Sequence, residues 1–233
     1  MRIARLVNDR LRDLRRARAQ TRDPNFVGFD KYRIHGAYHW DSLRTSEGYR
    51  AKVDLLLDRV QPSDRCLDLG CGDGAFAAAL ADRCREVVGV DADFDAIECA
   101  TDRLKRAGVT NVRCVRGPVG SVAAMGLGQF DFVYSMDVIE HLPSPEQLLE
   151  TAVTMVRDGG TVAIGTPLYI SDDLISEYHV TEYTRTQLRE MFTAYLPLLE
   201  EVVLPGTRKG GEMHAEEYWT GFGVCRGGVP SGL

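Results

Sequence analysis

Short apolar segments alternate with longer amphipathic segments along most of the chain, and this alternation constrains the fold more than any other feature. It predicts buried strands at residues 65–69, 86–91, 112–116, 130–135 and 160–166. It predicts helices at residues 47–60, 74–83, 95–107, 145–157 and 184–195. Strands that alternate with helices indicate a mainly parallel sheet covered on both faces. The last two predicted strands, 200–204 and 218–225, are joined by a loop, so we expect an antiparallel last strand. The prediction is an α/β fold with a doubly wound, mostly parallel sheet of seven strands.

The N-terminal part of the chain has a different composition. Residues 1–22 hold eight arginines and two aspartates, a net charge of about +6, whereas the remainder carries about −12. Apolar residues at helical spacing in residues 1–19 predict a helix that docks on the body or on a second copy in a homodimer. Binding of this helix to an anionic surface is the alternative. Residues 20–50 are predicted as an aromatic-rich loop. We therefore predict a helical and aromatic cap segment at 1–48 and a main domain at 49–233.

Charge and composition argue against several classes of protein. An acidic body does not favour general binding to nucleic acid. No run of about 18 apolar residues is present, so no membrane span is expected. The six cysteines form no C-x-x-C pair, which indicates reduced thiols rather than a disulfide framework. The N-terminus lacks the apolar core of a signal peptide. Together these features predict a cytoplasmic protein.

A glycine-rich turn follows the first predicted strand. Gly70, Gly72 and Gly74 alternate with other residues between that strand and a helix, and such glycines let a ligand lie against bare backbone. The acidic residue before them, Asp68, suits a cationic ligand better than a pyrophosphate. Asp91 ends the next strand, where a carboxylate can accept hydrogen bonds from both hydroxyls of a ribose. A dinucleotide-binding loop of the dehydrogenase type is the alternative.

Four segments in order, at residues 67–74, 87–93, 130–142 and 157–167, resemble the class I methyltransferases that use S-adenosylmethionine (SAM). The resemblance implies a Rossmann-like sheet with SAM as the cofactor. It implies SAM contacts at Asp68, Gly70, Gly72 and Asp91, with Ala92 beside the adenosine and Met136 beside the methionine part. One departure concerns the position after the third strand. Many relatives have an acidic residue there, and this chain has Gly117 and Pro118.

A D-x-x-E-H segment follows the fourth predicted strand. On a helical turn, Asp137, Glu140 and His141 would share one face, and His179 follows the fifth strand, whose end lies at the same sheet edge. In the first interpretation all four bind a divalent metal, with Mn, Fe or Zn better suited than Mg. The segment resembles ubiquinone-biosynthesis O-methyltransferases and enzymes that methylate small-RNA 3′ ends, although its first acid is Asp rather than Glu. In the second, His141 or His179 is a metal-free catalytic base. In the third, the segment is a structural turn.

The aromatic residues of the cap segment are the remaining candidates for ligand contact. Tyr38 and Trp40 are expected to close over SAM and the methyl acceptor, or to latch a helix onto the core. The leading functional hypothesis is methyl transfer to a hydroxyl of a small molecule, such as a sugar or natural product. The alternatives are N-methylation of an amine such as an amino sugar, methylation of RNA ribose, and binding of SAM without catalysis.

Overall fold

Seven strands form a single sheet in the computed structural model, which describes residues 30–205 and 217–226. Their order across the sheet is β3-β2-β1-β4-β5-β7-β6. The strands are β1 Arg65–Leu69, β2 Glu86–Asp91, β3 Val112–Arg116, β4 Phe130–Met136, β5 Val156–Pro167, β6 Leu198–Leu204 and β7 Tyr218–Val224. All neighbouring pairs are parallel except those made by β7, which runs antiparallel to both β5 and β6. The predicted doubly wound sheet with an antiparallel last strand is therefore confirmed.

Seven α-helices accompany the sheet in the part of the chain described. They are α1 Lys31–His35, α2 Tyr38–Thr45, α3 Glu47–Leu57, α4 Ala75–Leu80, α5 Phe94–Ala107, α6 Glu146–Met155 and α7 Arg185–Thr193. Short 3-10 helices cover Ala81–Arg83, Val119–Met125, Ile139–His141 and Asp172–Leu174. None of the helices within these described ranges is long and apolar enough to cross a bilayer.

The prediction of a loop before α3 was wrong for the described residues 30–46, most of which belong to α1 and α2. Both helices are short, and neither contains a buried residue. Helices of this length are marginal on their own and depend on tertiary contacts, so their sequences carry a weak periodic signal. The predicted boundary at residue 48 falls inside α3, and the division into two domains stays a prediction. The predicted helix at 1–19 lies outside the described residues.

The two faces of the sheet are covered by different helices. On one face, Val53 and Leu56 of α3 and Leu80 of α4 pack in a cluster with Val87 and Phe132 of the strands. On the other face, α6 and α7 cover a larger cluster. Burying both faces explains why the strands read as nearly continuous apolar runs. All six cysteines are free thiols.

The carboxyl ends of the parallel strands meet along one edge of the sheet. Parallel pairing aligns Leu69 of β1 with Val90 of β2, and Asp68 with Tyr134 of β4. The segments that follow β1, β2, β3 and β4 therefore leave the sheet side by side, which is where ligands bind in open α/β sheets.

Candidate active site

A cavity of about 1330 Å³ opens at this edge of the sheet. Ligand pockets typically measure roughly 300–1,000 Å³, so the cavity has room for more than one small molecule. Its wall includes the glycine loop, the end of β2, the segments after β3 and β4, and the helices of the cap. The cavity therefore joins nearly all the residues that the sequence singled out.

The glycine loop is held in a conformation that favours glycine. Gly70 has φ 81° and Gly72 has φ 52°, in the left-handed region that other residues rarely adopt. A Cβ on Gly70 would lie 2.4 Å from Cγ2 of Val138, and one on Gly72 would lie 2.2 Å from the hydroxyl oxygen of Tyr32. The loop therefore presents bare backbone to the cavity, and side chains from the cap and from the segment after β4 close over it.

Asp91 ties the glycine loop to the turn after β2. Its Oδ2 accepts a hydrogen bond from the backbone N–H of Gly72 at 2.8 Å, and its Oδ1 accepts one from Asp93 N–H at 2.8 Å. Burial raises the pKa of Asp91 to about 6, because desolvation disfavours the charged form. The carboxylate also lines the cavity, where each oxygen has a second lone pair for a ligand hydroxyl.

Asp68, which the sequence predicts as a SAM contact, is buried in β1. Its side chain is 3 % exposed, and Oδ2 is buried without a hydrogen-bond partner. Burial raises the pKa of Asp68 to about 8, against the lowering effect of the neighbouring Tyr134 hydroxyl. Among the described residues, Leu69 and Gly70 line the cavity and Asp68 does not. Asp68 is thus set back from the cavity wall behind the loop.

The remaining predicted cofactor residues do reach the cavity. Ala92 and Met136 both line it, and Met136 is largely buried beside Gly165 of β5. Gly117 and Pro118, where relatives have an acidic residue, form part of the same wall. Backbone and apolar surface therefore replace the acidic side chain at that end.

The cap is fastened to the glycine loop through Asp73, which is fully buried. Asp73 Oδ2 accepts a hydrogen bond from the backbone N–H of His39 at 2.9 Å, and its carbonyl oxygen accepts one from Trp40 Nε1 at 2.8 Å. Tyr38 lines the cavity, whereas Trp40 serves as the latch. Tyr32, which stacks on Tyr38 at 5.7 Å between ring centroids, was not singled out by the sequence analysis.

The sequence predicted that Asp137 shares one helical face with Glu140 and His141. The structure does not show this arrangement. Asp137 has φ 57° and precedes the 3-10 turn, which covers only Ile139–His141. Both of its carboxylate oxygens accept hydrogen bonds from Nζ of Lys52 on α3, each at 2.8 Å. The two residues are 85 positions apart in the chain, and no local pattern predicts such a pairing.

Glu140, His141 and His179 do come together. One ligand atom from each lies within 4.8 Å of the others, and the two imidazole rings meet edge to face with centroids 4.9 Å apart. The backbone carbonyl of Glu140 accepts hydrogen bonds from Val180 and Thr181 N–H at 2.8 and 3.1 Å, which fastens the segment after β5 to the turn after β4. The expected approach of His179 to His141 is thereby confirmed.

The two imidazoles are oriented by hydrogen bonds at Nδ1. His141 Nδ1 lies 2.8 Å from the carbonyl oxygen of Tyr178, and His179 Nδ1 lies 2.7 Å from Oε1 of Glu182. A carbonyl oxygen can only accept a hydrogen bond, so the proton of neutral His141 is on Nδ1 and Nε2 has a lone pair. Burial lowers the pKa of His141 to about 4, so the ring is neutral near neutral pH.

Glu140 is the most buried ionisable group of this cluster. Its side chain is 1 % exposed, Oε2 accepts a hydrogen bond from the Thr166 hydroxyl at 2.9 Å, and Oε1 has no hydrogen-bond partner. Burial raises its pKa to about 8, and the nearby charge of Asp137 adds to the effect. A buried carboxyl oxygen without a partner is unusual in a folded protein and marks a place that favours a cation or a hydrogen-bond donor.

Known proteins are similar to part of this chain. Residues 67–164 match a family described as a methyltransferase domain. The ubiquinone biosynthesis O-methyltransferase of Acinetobacter baylyi is 32% identical over 102 residues, which cover 44% of this chain and 43% of that protein. The enzyme of the same name from Bordetella avium is 30% identical over 144 residues, 59% of each chain. The chain thus spans about half the length of the curated relatives it matches.

A solved structure extends the likeness over a larger share of the chain. The N-methyltransferase NodS from Bradyrhizobium japonicum, in complex with S-adenosyl-L-homocysteine, aligns with a TM-score of 0.62 at 19% identity. The alignment covers 78% of this chain and 90% of NodS, and at this identity it speaks for the fold alone. The fold, the glycine loop with Asp91 and the sequence match over residues 67–164 agree, and this part of the chain is therefore similar to a methyltransferase domain.

Proposed function

We propose that this protein transfers the methyl group of SAM to a hydroxyl of a small molecule. The observation that carries the proposal is the single cavity, with the glycine loop and Asp91 at one end and the Glu140, His141 and His179 cluster at the other. Such an arrangement lets the methyl donor and the acceptor meet in one enclosed space, which converts a bimolecular reaction into an effectively unimolecular one.

The first end of the cavity suits SAM. Gly70 and Gly72 bring the loop backbone to the cavity wall, and the Asp91 carboxylate can accept hydrogen bonds from the two ribose hydroxyls. Ala92 fits beside the adenosine, and Met136 fits beside the methionine part. When bound, SAM supplies an activated methyl group on a positively charged sulfur.

The second end suits deprotonation of a hydroxyl. We assign His141 as the proton acceptor, because its Nε2 has the lone pair while Nδ1 faces the Tyr178 carbonyl. As the acceptor oxygen attacks the methyl carbon, a C–O bond forms and the C–S bond breaks, with its electron pair remaining on sulfur. The hydroxyl proton passes to His141 Nε2 and then to water. His179, held by Glu182, completes the wall beside this proton path.

Three of the four residues of the predicted metal site are arranged so that they could hold one metal ion. Glu140, His141 and His179 lie close enough to bind one divalent ion, and both imidazoles are oriented through Nδ1, as metal-bound histidines usually are. Asp137 is not part of this group, and both of its oxygens bind Lys52. A Zn, Mn or Fe ion at the three residues would lower the pKa of the acceptor hydroxyl; Mg is less suited to two imidazoles.

The acceptor is proposed to be a small compound such as a sugar or a natural product. The relatives named as O-methyltransferases of ubiquinone biosynthesis support a hydroxyl acceptor. The net charge of −6 does not favour a polyanionic substrate such as RNA. We also propose that the protein acts in the cytoplasm. Association of two copies through the segment at 1–19, which lies outside the described residues, is a further proposal.

A methyl-transfer screen tests the function. The protein is incubated with isotope-labelled SAM and matched hydroxyl and amine acceptors, with chelator present and then with Zn, Mn, Fe or Mg restored. We expect O-methylated products. Loss of turnover with chelator, reversed by one metal, would support the three-residue metal site, whereas undiminished turnover would leave His141 as a metal-free base. Transfer to amines alone, or to no acceptor, would refute the proposed function.

A further inference from the structure

Lys52 is a partly buried cation that the proposed methyl-transfer steps do not use. It lies on α3, its side chain is 14% exposed, and it lines the cavity together with Asp137 and Glu140. Its ammonium also lies 3.7 Å from the ring centroid of Tyr218 and 4.9 Å from that of Tyr49. Lysines are rarely buried unless their charge is compensated, so the surroundings of Lys52 are built to hold an ammonium at this place.

The position of Lys52 is fixed from several sides. Asp137 binds it with both carboxylate oxygens at 2.8 Å, and the faces of two tyrosine rings stabilise a cation. Asp137 directly follows Met136, the candidate neighbour of the methionine part of SAM. Lys52 therefore holds a positive charge at the cavity wall, next to the segment that follows Met136.

A fixed positive charge affects oxygen and nitrogen acceptors in opposite ways. A hydroxyl oxygen gains negative charge as its proton leaves, whereas an amine nitrogen gains positive charge as the C–N bond forms and keeps it until a proton is lost. In both reactions the C–S bond breaks and its electron pair stays on sulfur. A nearby ammonium attracts the first developing charge and repels the second.

We propose that Lys52 is a specificity-determining residue that directs methyl transfer to oxygen rather than nitrogen. The inference rests on the proposed function and extends it to the choice of acceptor atom. The negative charge of Asp137 cancels part of the field of the ammonium. We therefore expect Lys52 to change the ratio of O-methylated to N-methylated product by roughly ten- to a hundredfold, about the effect of one charge-assisted hydrogen bond.

The test uses an acceptor that carries both groups. Ortho-aminophenol offers a hydroxyl and an amine on adjacent carbons, and mass spectrometry measures the ratio of O-methylated to N-methylated product. The ratio does not depend on how much of the enzyme is folded. The variants are Lys52→Gln, which removes the charge, and Lys52→Arg, which keeps it. Lys105→Gln, on the exposed side of α5, removes one positive charge far from the cavity and serves as the matched control.

We expect mainly O-methylated product from the wild type, the Lys105→Gln control and Lys52→Arg, and a ratio at least about tenfold lower in Lys52→Gln. We also expect Lys52→Gln to lower kcat/KM on any simple hydroxyl compound accepted in the screen. An unchanged ratio, an unchanged kcat/KM on hydroxyl acceptors, or mainly N-methylated product from the wild type would each overturn the role of Lys52. No transfer to any acceptor by the wild type would instead refute the proposed function, and the inference with it.

Discussion

Replacing Asp91 by asparagine should weaken SAM binding while leaving the fold nearly as stable. The carboxylate accepts hydrogen bonds from the backbone N–H groups of Gly72 and Asp93, each at 2.8 Å, and also faces the cavity. Asparagine has nearly the same shape, but one of its two terminal atoms donates hydrogen bonds instead of accepting them. The substitution thus changes hydrogen bonding and charge at one position with little change in packing.

The effect on stability has two opposing parts. Burial raises the pKa of Asp91 to about 6, so the ionised carboxylate costs the folded protein about 3 kcal/mol at neutral pH. Asparagine removes that cost but leaves one backbone N–H without an acceptor, which costs about 1–3 kcal/mol. These contributions nearly cancel, and we expect the free energy of unfolding to change by less than about 2 kcal/mol.

The effect on SAM binding has no such compensation. The ribose would lose one hydrogen bond to a charged acceptor, worth about 1.5–3 kcal/mol, so the dissociation constant should rise by roughly ten- to 150-fold. In the wild type, SAM affinity should also fall as the pH drops through about 6, because the carboxylate becomes protonated. The asparagine variant should lack this pH dependence.

Calorimetric titration of SAM and urea unfolding, run in parallel on both proteins from acidic to neutral pH, measure the two quantities. Because the folded pKa of Asp91 is raised, the wild type should lose stability relative to Asp91→Asn as the pH rises from about 4 to about 6. A SAM affinity within threefold of the wild type would refute the assignment of Asp91 to the ribose. Equal losses of affinity and stability would point to a purely structural role.

Further predictions concern the cluster, the cap and the loop. Burial raises the pKa of Glu140 to about 8. In urea unfolding with chelator present, the wild type should therefore lose stability relative to Glu140→Gln as the pH rises from about 5 to 8. Parallel pH profiles of the two proteins would contradict this prediction. Tyr32→Ala should weaken SAM binding about tenfold because the ring covers Gly72, with Tyr32→Phe as the control in calorimetry; equal affinity in all three proteins would exclude the contact. Gly70→Ala should destabilise the protein by about 2 kcal/mol or more, since its Cβ would meet Val138 at positive φ. Val138→Ala in the same chain should recover part of that loss in urea unfolding, and no recovery would contradict the predicted clash.

The sheet and the glycine loop were predictable because their signals are local. Apolar runs alternating with amphipathic segments determine strands, helices and their order, and the loop before α4 follows from glycines at fixed spacing. Element ends were less accurate. The helix predicted to reach residue 157 ends at Met155 as α6, and β5 begins at Val156. The polar and glycine residues at 157–160 interrupt the apolar pattern there and hide the start of the strand.

The parts that sequence reasoning missed depend on contacts between distant residues. Lys52 and Asp137 are far apart in the chain, and their pairing depends on how α3 packs against the sheet. Tyr32 reaches Gly72 only because α1 folds back over the loop. The proximity of His141 and His179 was predictable, since both follow parallel strands that end at the same edge.

The crystal structure of the protein with S-adenosylhomocysteine would test the central claim most directly. We predict that the ribose hydroxyls bind the Asp91 carboxylate and that the adenosine lies beside Ala92. The sulfur should lie near Met136 and face His141 and His179 across open space in the same cavity. A ligand bound elsewhere, or a sulfur directed away from the two histidines, would contradict the proposed site of methyl transfer.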